Sequence, residues 1–375
     1  MKSATKTFGI LTAGGDCPGL NAAIRGVCRA ASGRYNMKVI GIADGYRGLI
    51  EGDFRELKPE DFSGILTRGG TILGASREKP FKAENKFSHG FNPGLTPDDI
   101  QQDKVAIIRE NYRKLGLDCL VVIGGNGTNT TGYRLTWEGL NVLGLPKTID
   151  NDIAGTDRSF GFNSALAIGT DAIDRLHSTA QSHSRVMVIE VMGHKAGWLA
   201  LYAGVAGGGD VILIPEIPYD IGSITRHLEE RACNGKSFSI VVVAEGALSV
   251  EEDRMDKKDR KKYRLETVAP SIGYRVAREI ESELGVETRA TVLGYMQRGG
   301  VPSASDRLLA TSLGTAAAEL LARGEYGRMV AVAGNDIGSV DLSIPAGKVR
   351  AIPLSHYMID TALSVGTCLG APVKG

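Results

Sequence analysis

The sequence predicts an α/β chain built as two doubly wound domains with mostly parallel sheets, and three observations carry that expectation. Short runs rich in Val, Ile and Leu are apolar throughout instead of alternating, as strands buried on both faces are. Segments of helical period lie between them, and regular alternation of the two element types marks helices covering both faces of a parallel sheet. Glycine clusters close the strand runs, where such sheets open their ligand crevices. A chain of 375 residues exceeds the usual single core and suggests two domains.

In order, the strand-like runs are 8–12, 39–43, 119–124, 142–145, 186–192, 211–215, 240–244, 290–293 and 329–333. Each is short and made mainly of branched or apolar residues. The helical segments are 21–31, 100–115, 130–138, 164–182, 198–206, 267–284 and 305–322. Two stretches read as peripheral. Residues 82–99, with His89-Gly90-Phe91-Asn92-Pro93-Gly94, form an expected loop, and the charge run 251–262 (EEDRMDKKDRKK) caps or extends a solvated helix. No internal repeat or low-complexity linker interrupts the chain, so the domain boundary is expected at a crossing of packed segments.

Composition narrows the function. A formal net charge of +1, with Lys and Arg spread along the chain, gives no footprint for nucleic acid or an anionic membrane, and points to a small-molecule partner. The five cysteines, at 17, 28, 119, 233 and 368, form no CxxC pair and suit free thiols in a reducing cytosol. The N-terminus lacks the features of a signal peptide, and no run of eighteen apolar residues occurs. A cytoplasmic protein is expected.

The most telling turn is Lys147-Thr148-Ile149-Asp150-Asn151-Asp152. In an extended backbone residues i and i+2 share a side, so Asp150 and Asp152 would face one volume, where a metal, a donor-rich substrate or a shared proton would offset their repulsion. A solvated turn bonded to its own backbone is the alternative. Upstream, Gly14-Gly15-Asp16-Cys17-Pro18-Gly19 and Gly124-Gly125-Asn126-Gly127-Thr128 each join a strand run to a helical segment, as anion-cradling turns do, although glycine there also serves packing. If the three strands are parallel neighbours, all three turns converge. Gly235-Lys236-Ser237 is a decoy, because Glu230 stands where a P-loop needs its first glycine. Arg77, Arg185, Arg289 and Arg298 sit near glycine-rich or strand-end positions, which suits a phosphorylated ligand, as well as ordinary surface salt bridges.

Taken together, GGDCPGLNAAIRG, GGTILGASR, VVIGGNGT, GLPKTIDNDIAGTD, SHSRVMVIEVMG, AEGA and RATVLGYMQRGG resemble the 6-phosphofructokinase family in the same order and over nearly the full length. The resemblance implies a phosphoryl-donor domain of 1–161 plus 302–350 and a fructose 6-phosphate domain of 162–301 plus 351–375. It implies Asp150 as the base at the sugar 1-hydroxyl, Thr148 beside it, and Asp152 at the metal and phosphoryl centre. Arg185, Met192, Gly193, His194, Glu245, Arg289, Tyr295 and Arg298 match the sugar-phosphate site, along with Thr148 and Asp150. Gly14, Gly15, Arg77, Gly125, Asn126, Gly127 and Thr128 match the donor site. In this family some of the arginines come from a neighbouring subunit, which implies a homodimer or homotetramer with shared active sites.

Three departures concern the donor, ATP or pyrophosphate. Lys147 matches the pyrophosphate enzymes, where ATP enzymes typically have glycine. Gly127 leaves room for a nucleotide where pyrophosphate enzymes usually carry aspartate. Asn126 replaces the usual magnesium-binding aspartate and would coordinate Mg²⁺ more weakly, beside Asp152. The combination resembles a mixed subgroup credited with ATP. His194 and Tyr295 vary the sugar side and leave room for other sugar phosphates, such as sedoheptulose 7-phosphate. Two other readings stay open: a nicotinamide dehydrogenase, disfavoured by the missing GxGxxG, and an inactive sugar-phosphate-binding paralogue with Asn126 as its lesion.

Overall fold

The computed structural model describes residues 6–81, 97–268 and 270–371, with no account of the side chains of 97–103. The chain divides into two compact units. The first comprises 1–148, 153–161 and 299–349, and the second comprises 149–152, 162–298 and 350–375.

The first unit begins β1 (Thr7–Ala13), α1 (Leu20–Tyr35), β2 (Lys38–Ile42), α2 (Tyr46–Glu51), β3 (Phe54–Glu56), α3 (Pro97–Lys114), β4 (Cys119–Gly124), α4 (Asn126–Trp137), β5 (Val142–Thr148) and β6 (Phe160–Gly161). The second unit supplies α5 (Phe162–His183), β7 (Val186–Val191), α6 (Trp198–Ala206), β8 (Val211–Leu213), α7 (Ile221–Cys233), β9 (Ser239–Ala244), α8 (Val250–Arg254), α9 (Lys257–Thr267), α10 (Ile272–Leu284), β10 (Thr288–Val292) and a 3₁₀ turn, Gly294–Arg298. The first unit resumes with α11 (Ala304–Arg323), β11 (Arg328–Ala333) and β12 (Asp336–Asp341), and α12 (Tyr357–Ser364) returns to the second.

In the first unit the sheet order is β12-β11-β5-β4-β1-β2-β3, with β6 beside β5. The central strands β1, β4 and β5 are parallel neighbours, and their ends are level: Ala13 pairs with Gly124, and Gly124 with Pro146. Every residue of β4 is buried, so its apolar run is a core strand with helices on both faces. Burying each of Leu120, Val121, Val122 and Ile123 contributes about 1.5–3 kcal/mol, which anchors the strand whose end carries the glycine turn. Helices α1 and α11 approach backbone to backbone at Gly26 and Gly314: a Cβ on Gly26 would lie 2.8 Å from Thr311 O, and one on Gly314 2.8 Å from Ala23 O. In the second unit β10-β7-β9-β8 is wholly parallel. Residues 211 and 368 bridge at its edge, so the C-terminal segment extends the sheet.

Apart from α7, the elements missed by periodicity are short or polar. The β11–β12 hairpin turns through Gly334-Asn335 with Gly334 at φ 59, a recognised two-residue hairpin signal obscured by the exposed face of DIGSVD. Helix α7 carries Ile221, Ile224 and Leu228 on one face, with Asp220 capping Ser223 N–H at 2.8 Å, signals that pointed to a helix. The expected helix 267–284 starts later, at Ile272 as α10, and Thr267 instead ends the separate α9, because Pro270 cannot continue a helix. The charge run also divides. None of α9 is buried, whereas Glu252 in α8 is fully buried and pairs with Arg275 at 3.0 Å. Of the expected loop 82–99, residues 82–96 lie outside the described residues and Pro97–Asp99 open α3.

Candidate active site

In the first unit the site grows from strand ends. β1 stops at Ala13, Gly14 turns with φ 83, and α1 starts beyond Gly19 at φ 104 with no side-chain cap and no acidic residue in its first turn. β4 stops at Gly124, and α4 starts at Asn126 behind Gly125, again with no side-chain cap and no acidic first turn. Two helix N-termini at adjacent parallel strand ends thus leave first-turn N–H groups without a side-chain cap, and their dipoles favour an anion. A Cβ on Gly127 would meet nothing within 4 Å, so that position opens into space.

One amide leaves the set. Gly14 N–H donates to Ser76 O at 2.9 Å, so Gly14 serves by its left-handed turn rather than as an anion donor. That bond brings the GGTILGASR segment to the β1 end and places exposed Arg77 one residue from it. Asn21, which sequence reasoning passed over, fastens the same segment: its amide donates to Arg68 O at 3.1 Å and Gly69 O at 3.3 Å, and its oxygen accepts Ile72 N–H at 2.8 Å. Thr128 Oγ1 donates to Ala13 O at 3.2 Å, tying the second turn to the first.

Lys147 is buried, and its ammonium donates to Gly15 O; a Cβ on Gly14 would lie 3.8 Å from Nζ. The positive charge therefore sits among the glycine turns. Thr148 follows, buried, with its carbonyl accepting Ser159 Oγ–H at 2.8 Å.

The aspartate turn belongs to the second unit, and Asp150, Asn151 and Asp152 are all buried. Its conformation differs from the expected one. β5 ends at Thr148 and Asn151 adopts φ 51, so the alternation of an extended strand does not describe the relation of Asp150 to Asp152. The turn is held by Arg350, another residue without a sequence signal: Nη1 donates to Asn151 O at 2.9 Å and the main-chain N–H to Asp152 O at 2.8 Å.

The sugar-side candidates of this unit fall at two opposite edges. At the C-terminal edge, His194 (φ 52) donates its N–H to Glu245 Oε1 at 2.8 Å, and Glu245 N–H donates to Val191 O at 2.9 Å. Gly193 has φ 150, and a Cβ there would lie 2.6 Å from Ala196 O, so only glycine fits. Fully buried Gln297 accepts Met192 N–H at 2.7 Å and donates to Ala165 O at 3.3 Å, fastening the turn that carries Tyr295 and Arg298 to the Met192 loop. Glu216 accepts Gly197 N–H at 3.0 and 3.1 Å, and burial pushes its carboxyl above the ordinary range while those donors pull it back.

Arg185 and Arg289 lie elsewhere. Arg185 precedes β7, and Arg289 pairs with Met187 near the start of that strand. At 3.3 Å per residue, Arg185 is about 23 Å along the strand from Met192 and Met187 about 16 Å, beyond the reach of an arginine side chain. Both bond Glu287: Arg185 Nε donates at 2.7 Å, and Arg289 Nη2 donates to its other oxygen. Within one chain these two arginines do not join Met192, His194 and Glu245.

Comparison with known proteins gives the family. The family model described as Phosphofructokinase matches residues 7–321. The ATP-dependent 6-phosphofructokinase of Spirochaeta thermophila is 64% identical over 369 residues, covering 98% of this chain and 99% of that protein. ATP-dependent 6-phosphofructokinase 3 of Bacteroides thetaiotaomicron is 52% identical over 363 residues, 97% of this chain and 99% of that one. Phosphofructokinase from Pichia pastoris in the T-state superposes with a TM-score of 0.75 at 32% identity, over 92% of this chain and 38% of that longer chain.

Proposed function

The chain belongs to the phosphofructokinase family, and from that premise we propose that it is an ATP-dependent 6-phosphofructokinase, transferring the terminal phosphoryl group of ATP to the 1-hydroxyl of fructose 6-phosphate. One observation of the structure supports it above the others: the end of β5 carries Lys147 among the glycine turns and runs within three residues to the buried Asp150. Asp150 is assigned as the base that takes the hydroxyl proton, with Thr148 beside it. The helix N-termini of α1 and α4 and the Lys147 ammonium stabilise the donor's phosphates. Such positioning and charge neutralisation make up most of phosphoryl-transfer catalysis, and a general base adds a factor of about 10² to 10⁴.

Magnesium suits the residues assigned to it. In phosphoryl transfer Mg²⁺ is held by one or two carboxylates with the substrate's phosphates and waters, not by a protein cage. Asp152 is a buried carboxylate of the second unit, and Asn126 opens α4 in the first with a neutral amide oxygen. Bound with ATP, the ion would neutralise charge developing on the transferring group. The open position at Gly127 favours a nucleotide, and the relatives' printed names give ATP as their donor. Lys147 adds binding for the phosphates of either donor, so pyrophosphate is the second reading.

The two-edge distribution of the sugar-side arginines supports an oligomer in which Arg185 and Arg289 of one subunit complete a neighbour's site, so that a monomer would be incomplete. Cytoplasmic location belongs to the same proposal, and among the described residues no helix is long and apolar enough to cross a membrane. The test is formation of fructose 1,6-bisphosphate from fructose 6-phosphate and ATP with Mg²⁺. Absence of product with either ATP or pyrophosphate would favour a binding-only paralogue.

A further inference from the structure

We propose that Arg350 is a positioning residue for the aspartate turn, a two-point clamp that sets the backbone from which Asp150 and Asp152 act; the inference rests on the assignment of Asp150 as the base. Asp150-Asn151-Asp152 is neither helix nor strand, and its link to a ladder comes at its end, where the Arg350 main-chain bond to Asp152 belongs to the antiparallel bridge of Ile153 with Val349. Asn151 sits at φ 51, a region that asparagine tolerates better than most residues but does not require. Two bonds that favour that conformation come from one residue 199 positions from Asn151: the Arg350 guanidinium donates to Asn151 O at 2.9 Å and its main-chain N–H to Asp152 O at 2.8 Å. The two acceptors are consecutive carbonyls. They lie on either side of the Asp152 Cα, so holding both sets the direction in which the Asp152 carboxylate leaves the chain and fixes the peptide one residue from Asp150.

The clamp is itself held. The guanidinium lies 4.2 Å from the ring centroid of Trp198, whose indole N–H donates to Arg350 O at 2.9 Å, and Trp198 is 1% exposed. A planar cation stacks on such a face while its fork reaches a carbonyl, and lysine lacks that fork. Two residues on, Ile352 N–H donates to Glu216 Oε1 at 2.9 Å, and Glu216 also accepts Gly197 N–H at 3.0 Å. Residues 350–352 thus tie the aspartate turn to the loop between His194 and α6, the loop that bears the sugar-phosphate candidates. Arg350 sits between the general base and the acceptor's binding loop.

The test is steady-state kinetics on Arg350→Ala, Arg350→Lys and Trp198→Phe with fructose 6-phosphate and ATP, beside Asp150→Ala and a thermal melt of each. Misplacing a reacting group by about 1 Å costs on the order of 10²-fold, so kcat of Arg350→Ala should fall roughly 10- to 100-fold. KM for fructose 6-phosphate should stay within about threefold, since Met192 and His194 keep their own bonds to Gln297 and Glu245 when the guanidinium is removed. Ethylguanidine should restore part of the lost kcat in Arg350→Ala and none in Asp150→Ala. Wild-type kcat in both Arg350 variants overturns the clamp, as does a parallel loss of kcat and sugar affinity without rescue, which a structural role alone would give. If Arg350→Ala does not fold, the same split of kcat from KM is read in Arg350→Lys and Trp198→Phe. Asp150→Ala keeps the two ideas apart: turnover retained there removes the base assignment, whereas its loss alongside wild-type Arg350 variants removes only the clamp.

Discussion

The two units use the same device, glycine-rich turns at the ends of parallel strands, to build opposite kinds of surface. In the first unit the candidate site is made of backbone: Gly14, Gly125 and Gly127, two helix N-termini without side-chain caps, and one buried ammonium. In the second it is made of side chains that hold loops in place, with Gln297, Glu245 and Glu216 fastening the Met192, His194 and Gly197 main chain. A polyphosphate is nearly the same from every direction and needs only donors and positive charge, which backbone supplies. A sugar phosphate has hydroxyls to be told apart, and that takes placed side chains.

That contrast can be broken in descending order of effect. Asp150→Ala should lower turnover by about 10² to 10⁴, the worth of a general base, while fructose 6-phosphate still binds by calorimetry. Near-normal turnover would remove Asp150 as the base. Next, mixing and refolding Asp150→Ala with Arg289→Ala subunits should regain turnover that neither has alone, because a hybrid has some sites with both residues intact. No recovery would place Arg289 outside any shared site. A third test addresses backbone against side chain. Gln297→Met leaves the Met192 N–H without its buried acceptor at a cost of about 1–3 kcal/mol, and KM for fructose 6-phosphate should rise with KM for ATP unchanged. Gly127→Asp should do the converse, raising KM for ATP about tenfold, the equivalent of 1.4 kcal/mol of repulsion, with the sugar unaffected. Equal effects on both substrates from either substitution would contradict the division.

The smallest effect concerns the Arg350 surroundings. His356 packs edge-on to Trp198 at 5.1 Å, and burial together with the Arg350 charge holds its pKa below the ordinary 6.5. A lowered histidine favours the folded state fully above the unfolded value, and that contribution is lost as pH falls from 6.5 through the lower folded value. His356→Asn keeps the N-cap of α12 and should flatten the acid side of a thermal-stability profile below pH 6.5. An unchanged slope would show that His356 does not titrate on unfolding.

What was legible in the sequence follows the same line. Buried parallel strands announce themselves as unbroken apolar runs, and the level ends of β1, β4 and β5 followed from reading them as neighbours. Backbone sites leave a glycine pattern, so the turns of the first unit were visible. Gln297, Glu216, Asn21 and Arg350 were not, because each acts through bonds to residues distant in sequence that no local period encodes. The geometry of the aspartate turn was misjudged for a related reason: its extended form was inferred from spacing, whereas Asn151 is left-handed and bonded to a residue from the far end of the chain. The split of the arginines between sheet edges was equally hidden, since Arg185 and Met192 are close in sequence but stand at opposite ends of one strand.

The account turns on the donor and the acceptor together. The direct measurement is fructose 1,6-bisphosphate formation by the purified chain, assayed side by side with ATP and with pyrophosphate at saturating fructose 6-phosphate and Mg²⁺. Product with ATP at a kcat/KM above that with pyrophosphate is the expected result. Product with pyrophosphate alone would contradict it.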